Sequence, residues 1–129
     1  MPGVAGGELA GHRLPKGALI RRPGDYRAIY RYGRRIRGRN FNLIFRPNGR
    51  GYNRLGISIH GLKLAVQRNR VKRLIKEFFR GNRNFLPAGH DIVFASRREF
   101  RPASPAEVKT LIQQAIKGSE PPPAKETVA

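Results

Sequence analysis

The sequence predicts an α+β fold, a small mixed sheet of three to four strands packed with helices in the order α-β-β-α-β-α. Three observations carry this prediction. Residues 40–46 (NFNLIFR) and 54–59 (RLGISI) alternate apolar and polar side chains, the period-two pattern of half-buried strands. Residues 67–80 (QRNRVKRLIKEFFR) instead gather Val71, Leu74, Ile75 and Phe78 on one face at about 100° per residue, with Phe79 at its edge. A second stripe at helical spacing, Val108, Leu111, Ile112 and Ala115, follows a third apolar run at 90–96 (HDIVFAS). Helices with one apolar stripe and strands with one apolar face bury them against each other, which predicts helices on one face of the sheet in a two-layer sandwich.

The elements follow in order. Pro23-Gly24-Asp25 opens a short helix, with Asp25 as the expected N-cap, Gly33 as the stop, and Tyr26, Ile29 and Tyr30 at i, i+3, i+4 spacing. GRRIRGR (33–39) reads as a basic turn into the first strand, whose apolar positions are Phe41, Leu43 and Phe45. The Gly/Asn-rich loop PNGRGYN leads to the second strand, expected antiparallel to the first, with Leu55, Ile57 and Ile59 on one face. The long helix is expected from about Leu64 to Arg80, ended by Gly81-Asn82. Pro87-Ala88-Gly89 turns the chain into the third strand, and Ser104-Pro105 supplies an N-cap and first-turn proline for the last helix.

The chain has 129 residues, enough for one domain with a modest core. Its 27 Lys and Arg against 8 Asp and Glu give a net charge of +19. Self-repulsion on that scale disfavours a compact state, so a polyanionic partner is expected, and nucleic acid suits it better than an anionic membrane surface. No apolar run is long enough to span a bilayer. The start, MPGVAGGELAGHR, lacks a basic segment followed by a long apolar one, so a cytoplasmic protein without a secretory signal is expected. The absence of cysteine excludes disulfides and thiolate zinc sites. Residues 1–13 read as a flexible lead, 14–117 as one nucleic-acid-binding domain, and 118–129, with three consecutive prolines, as a disordered tail.

The residues for polypeptide catalysis are missing. His12, His60 and His90 lie far apart, acids are scarce, and no glycine loop carries a phosphate-cradling Lys-Ser/Thr signature. No catalytic residue and no metal site is expected. Binding chemistry is plentiful. Arg68, Lys72, Lys76 and Arg80 climb the long helix at i, i+4 steps, with Asn69, Arg70 and Arg73 completing its polar side. Glu77, four residues after Arg73, is the lone acid there, whereas a solvated helix face usually mixes both signs. Arg34, Arg35, Arg37 and Arg39 form a second basic cluster, and guanidinium forks suit phosphate. Tyr26, Tyr30 and Phe41 are either core rings or platforms on which unpaired bases stack.

Taken together, these segments resemble the bacterial ribonuclease P protein subunit. RNRVKRLIKEFFR (68–80) is similar to that family's basic helix almost position for position; RLGISI (54–59) resembles the strand feeding it, and DYRAIYRYGRRIRGRNFNLIF (25–45) its opening segment. The loop before the helix departs from the family: HGLKLAV is about one residue shorter than usual, with Lys63 its only lysine. The resemblance implies a ribosomal-protein-S5-domain-2-like sandwich with a left-handed β-α-β crossover through the basic helix. It also implies a protein that assists a catalytic RNA subunit, one protein per RNA, in removing the 5′ leader from precursor tRNA. Mg²⁺ would then be held mainly by RNA. Arg68, Asn69, Arg70, Lys72, Arg73, Lys76 and Arg80 would face the RNA, and Tyr26, Tyr30, Phe41 and Lys63 would border a cleft for the leader. Against this stand a ribosomal protein without a cleavage role, a DNA-binding regulator, for which no helix-turn-helix pair is evident, and a cationic membrane-surface helix, which the strands argue against.

Overall fold

A computed structural model describes residues 16–118. After a 3-10 turn at Lys16–Ala18 come α1 (Pro23–Tyr32), β1 (Arg34–Gly38), β2 (Phe41–Pro47), β3 (Arg54–Ile59), α2 (Ala65–Gly81), β4 (His90–Ser96) and α3 (Pro105–Gly118). The strands form one mixed four-stranded sheet in the order β1-β2-β4-β3. β1 and β2 are an antiparallel hairpin, β2 pairs antiparallel with β4, and β3 pairs parallel with β4. The β3-α2-β4 crossover therefore joins neighbouring parallel strands. The lead at 1–13 and the tail beyond Gly118 lie outside the described residues, and Gly118, expected to open the tail, closes α3 instead.

Several expectations are corrected. The supposed basic turn at 33–39 is mostly strand β1, in which Ile36 is the single buried residue, opposite Leu43. One apolar residue among arginines shows no alternation, yet charged side chains suit an edge strand because they discourage further pairing. β3 does not pair with β2, because β4 lies between them. Ile92, Val93 and Phe94 in β4 are buried in succession, as a central strand covered on both faces requires. Helices consequently occupy both faces. α2 and α3 cover Phe41, Leu43, Leu55, Ile92 and Phe94, while α1 packs Ile29 on Ile44 and Val93 across the sheet.

α1 begins at Pro23 with Arg22 in the N-cap position, so Asp25 falls in the first turn and does not cap the helix. There its carboxylate faces the positive end of the helix dipole and lies 3.6 Å from Arg54. Gly33 ends α1 in an extended conformation (φ −79°), not a left-handed one. Its requirement is space: a Cβ would sit 2.5 Å from the Ile29 carbonyl oxygen. α3 begins as expected. The Ser104 hydroxyl accepts from the Glu107 N–H (3.2 Å), and the Glu107 carboxylate accepts from the Ala103 N–H (2.7 Å), a reciprocal cap.

The parallel register is pinned by an ion pair. Arg54 on β3 donates through Nε and Nη2 to both carboxylate oxygens of Asp91, its partner on β4, at 2.8 and 2.6 Å. Asn48 adds a third donor at 2.9 Å. Burial alone would raise the Asp91 pKa, but the hydrogen bonds from Arg54 and Asn48 and the adjacent guanidinium charges outweigh it and hold the carboxyl below its ordinary range.

Candidate nucleic-acid interface

α2 has the two faces its sequence predicts. Val71, Leu74, Ile75, Phe78 and Phe79 are buried, each contributing about 1.5–3 kcal/mol by leaving water. Asn69, Arg70, Arg73, Lys76 and Arg80 are exposed, while Arg68 and Lys72 are half-buried. The first turn holds no acid and no side chain caps it, so backbone N–H groups and the positive dipole end add to the ridge. Arg68 is partly committed elsewhere: its Nη1 donates to the carbonyls of Leu62 (3.0 Å) and Lys63 (2.8 Å), fastening the incoming loop to the helix. Lys63 itself is exposed in that loop.

Lys72 and Lys76 turn towards the open edge of β3, where with Arg21 and Tyr26 they border a hollow of about 170 Å³. This hollow connects the ridge with the α1 face. On that face the register aligns Arg35 and Arg37 of β1 with Ile44 and Asn42 of β2, Val93 and Ala95 of β4, and Gly56 and Ser58 of β3. α1 covers Ile44 and Val93. Asn42, Ala95 and Ser58 remain half-exposed and Arg37 exposed, giving a shallow polar floor beside the helix.

The two tyrosines on α1 differ. Tyr26 lies across β3, where a Cβ on Gly56 would come within 2.8 Å of it. Its hydroxyl accepts from the Ile57 N–H (3.1 Å) on the edge strand and donates to the Ile20 carbonyl (3.3 Å). Burial raises its pKa, only partly opposed by the bond from Ile57. Tyr30 carries the Arg35 guanidinium 5.9 Å from its ring centroid, and its hydroxyl is buried with no hydrogen-bond partner among the described residues.

Phe41 is corrected outright. It is 0% exposed, stacks on Phe94 at 4.8 Å and meets Phe100 edge-on at 5.3 Å, all on the α2/α3 side. Strand alternation sends residue 41 to the face opposite residues 42 and 44, so it cannot share a cleft with the tyrosines. The same alternation divides the arginine cluster: Arg35 and Arg37 join the α1 face, Arg34 pairs opposite Phe45 on the other, and Arg39 sits in the hairpin turn. Asn42, Ser58, Ala95 and Arg21 were missed, since only the strand order brings them beside α1. The one available signal was that residues between Phe41, Leu43 and Phe45 must face away from them.

His60 pairs with Ser58 (3.1 Å), His90 Nδ1 lies 2.8 Å from the Pro87 carbonyl, and His12 lies outside the described residues. Among the described residues no group of three His, Asp or Glu side chains is placed to hold a metal ion, and no helix is long and apolar enough to cross a membrane.

The family model for ribonuclease P matches residues 14–119. The ribonuclease P protein component of Desulfotalea psychrophila is 46% identical over 102 residues, which cover 78% of this chain and 85% of that one. Among solved structures, the RNase P protein of Thermotoga maritima superposes with a TM-score of 0.66 at 31% identity, covering 80% of this chain and 98% of that one. The Staphylococcus aureus RNase P protein gives 0.68 at 27% identity, covering 79% and 94%. These proteins share the three helices and mixed four-stranded sheet seen here. A match over most of the described fold, by sequence and by structure alike, sets aside the ribosomal, DNA-binding and membrane readings: the chain belongs to the ribonuclease P protein family.

Proposed function

We propose that this chain, with residues 14–117 as its RNA-binding unit, acts in the cytoplasm as one protein bound to one catalytic RNA. There it promotes endonucleolytic removal of the 5′ leader from precursor tRNA. The observation that carries this reading is the two-sided α2 helix, anchored by one face and leaving Asn69, Arg70, Arg73, Lys76 and Arg80 free for phosphate. The ridge docks on the RNA subunit. The leader runs along the α1 face, over Tyr30 and the floor of Asn42 and Ala95, with Arg35 and Arg37 at its phosphates and Lys63 at the loop. Phosphodiester hydrolysis belongs to the RNA. Among the described residues no group of acids is placed to hold the Mg²⁺ that reaction uses: the Asp91 oxygens are taken by Arg54 and Asn48, and Asp25 also lies against Arg54. The protein's part is to offset phosphate repulsion between enzyme RNA and substrate. The test is precursor-tRNA cleavage by the cognate RNA at low Mg²⁺. Adding the protein restores cleavage and the protein alone cleaves nothing; metal-dependent cleavage by RNA-free protein would overturn the reading.

A further inference from the structure

A groove of about 610 Å³ runs between the C-terminal end of α2, the loop after it, and α3. These helices cover the sheet face opposite Tyr26 and Tyr30, so the groove is separate from the cleft beside α1. Its floor is apolar, with Phe85 held edge-on to Phe78 at 5.2 Å and Ile112 beside it. Arg83, Lys109 and Lys117 stand on its walls with the amides of Asn84 and Gln113, and among the described residues no acid lines it.

Arg83 supplies the second observation. Its carbonyl is fixed by a 2.8 Å bond from the buried Asn53 amide, and its guanidinium lies 5.4 Å from the Phe79 ring centroid. Its Nε is buried with no hydrogen-bond partner among the described residues. As a residue Arg83 is half-exposed and lines the groove, so its guanidinium can meet an anionic oxygen that enters there. Aromatic floor, amides that read base edges and cations along the walls together match an unpaired nucleotide.

We propose that this groove binds a nucleotide of single-stranded RNA, with Arg83, Lys109 and Lys117 at the phosphate and the base against Phe85. The proposal rests on the RNA-binding reading above and adds to it a second RNA segment, held on the opposite side of the sheet. The test is a titration of the isotope-labelled full chain with a short oligouridylate, read by amide chemical shifts. Two sets of amides move, one around Tyr30, Asn42 and Ala95 and one around Phe85, Gln113 and Lys117. Gln113→Glu adds only a charge at an exposed position and weakens the groove set severalfold while leaving the cleft set in place. Lys109→Ala and Lys117→Ala each flatten the log–log salt dependence of the groove set by about 0.7. If the cleft set moves and the groove set does not, the groove proposal is overturned and RNA binding stands. If neither moves, the RNA-binding reading itself fails. Groove resonances that shift with protein concentration alone, or on removal of residues 119–129, would give the groove to the chain itself and overturn the proposal.

Discussion

Replacing Tyr26 by Phe removes one oxygen and leaves the ring. That oxygen makes two hydrogen bonds, accepting from Ile57 N–H at 3.1 Å and donating to Ile20 C=O at 3.3 Å. Each bond of this kind contributes about 0.5–1.5 kcal/mol net, so the variant loses roughly 1–3 kcal/mol. In a domain of this size that lowers Tm by at least about 4 °C. The damage is local. Ile57 lies on the edge strand, where the next segment pairs only as far as Leu55 and Ile20, so the tyrosine hydroxyl is what protects its amide. Hydrogen exchange at Ile57 should accelerate in Tyr26→Phe, while amides in the central strand β4 should accelerate by no more than the loss of global stability. Gly56→Ala should do worse, because its Cβ would meet the Tyr26 hydroxyl at 2.8 Å and the ring itself at 2.9 Å. An unchanged Tm together with unchanged exchange at Ile57 would refute the latch. Tyr26 would then be only a ring on the surface.

Three further outcomes follow from the same geometry. Leu74→Ala truncates a buried anchor of α2 and should cost roughly 2–5 kcal/mol, whereas Arg73→Ala, on the exposed face, should leave Tm nearly unchanged and weaken RNA binding; the reverse pattern in thermal melts and binding assays would mean the helix phase is wrong. Lys72→Ala and Lys76→Ala should each reduce the slope of log affinity against log salt for the RNA subunit by about 0.7–0.9, with no reduction if these lysines meet no phosphate. The folded-state pKa of Asp91 is depressed, so its stabilisation is complete above the ordinary Asp value near about 4 and is lost as pH falls through the lower folded value; melting curves below about pH 4 should show that loss, and Asp91→Asn should remove this acid limb.

How much of this was legible in the sequence depended on how local the signal was. α2 could be read to within a residue at each end because five apolar side chains repeat at helical spacing, and the same repeat fixed which side chains face out. The cap of α3 was equally local, lying in Ser104, Pro105 and Glu107. β1 was hidden because a strand of arginines with one isoleucine has no apolar period. Strand order was hidden for a different reason: the β3-β4 pairing spans a crossover, and nothing in either strand's composition says which neighbour it takes. That gap misplaced Phe41. Alternation already separated residue 41 from 42, but only the sheet order and the position of α1 decide which face meets solvent. The arginines of β1 were divided between the faces by the same rule.

The central claim is that the ridge on α2 holds the enzyme RNA while the α1 face holds the leader. It is tested most directly by measuring how Tyr30→Ala changes affinity of the assembled enzyme for precursor and for mature tRNA at several salt concentrations. Tyr30 is neutral, so the salt slope should not change, and a lost base–ring stack should weaken the leader-bearing precursor by about 1–3 kcal/mol while leaving mature tRNA unaffected. Equal weakening of both substrates would contradict the account, placing Tyr30 in the core cluster with Ile29 and Val93 and leaving the leader without a cleft.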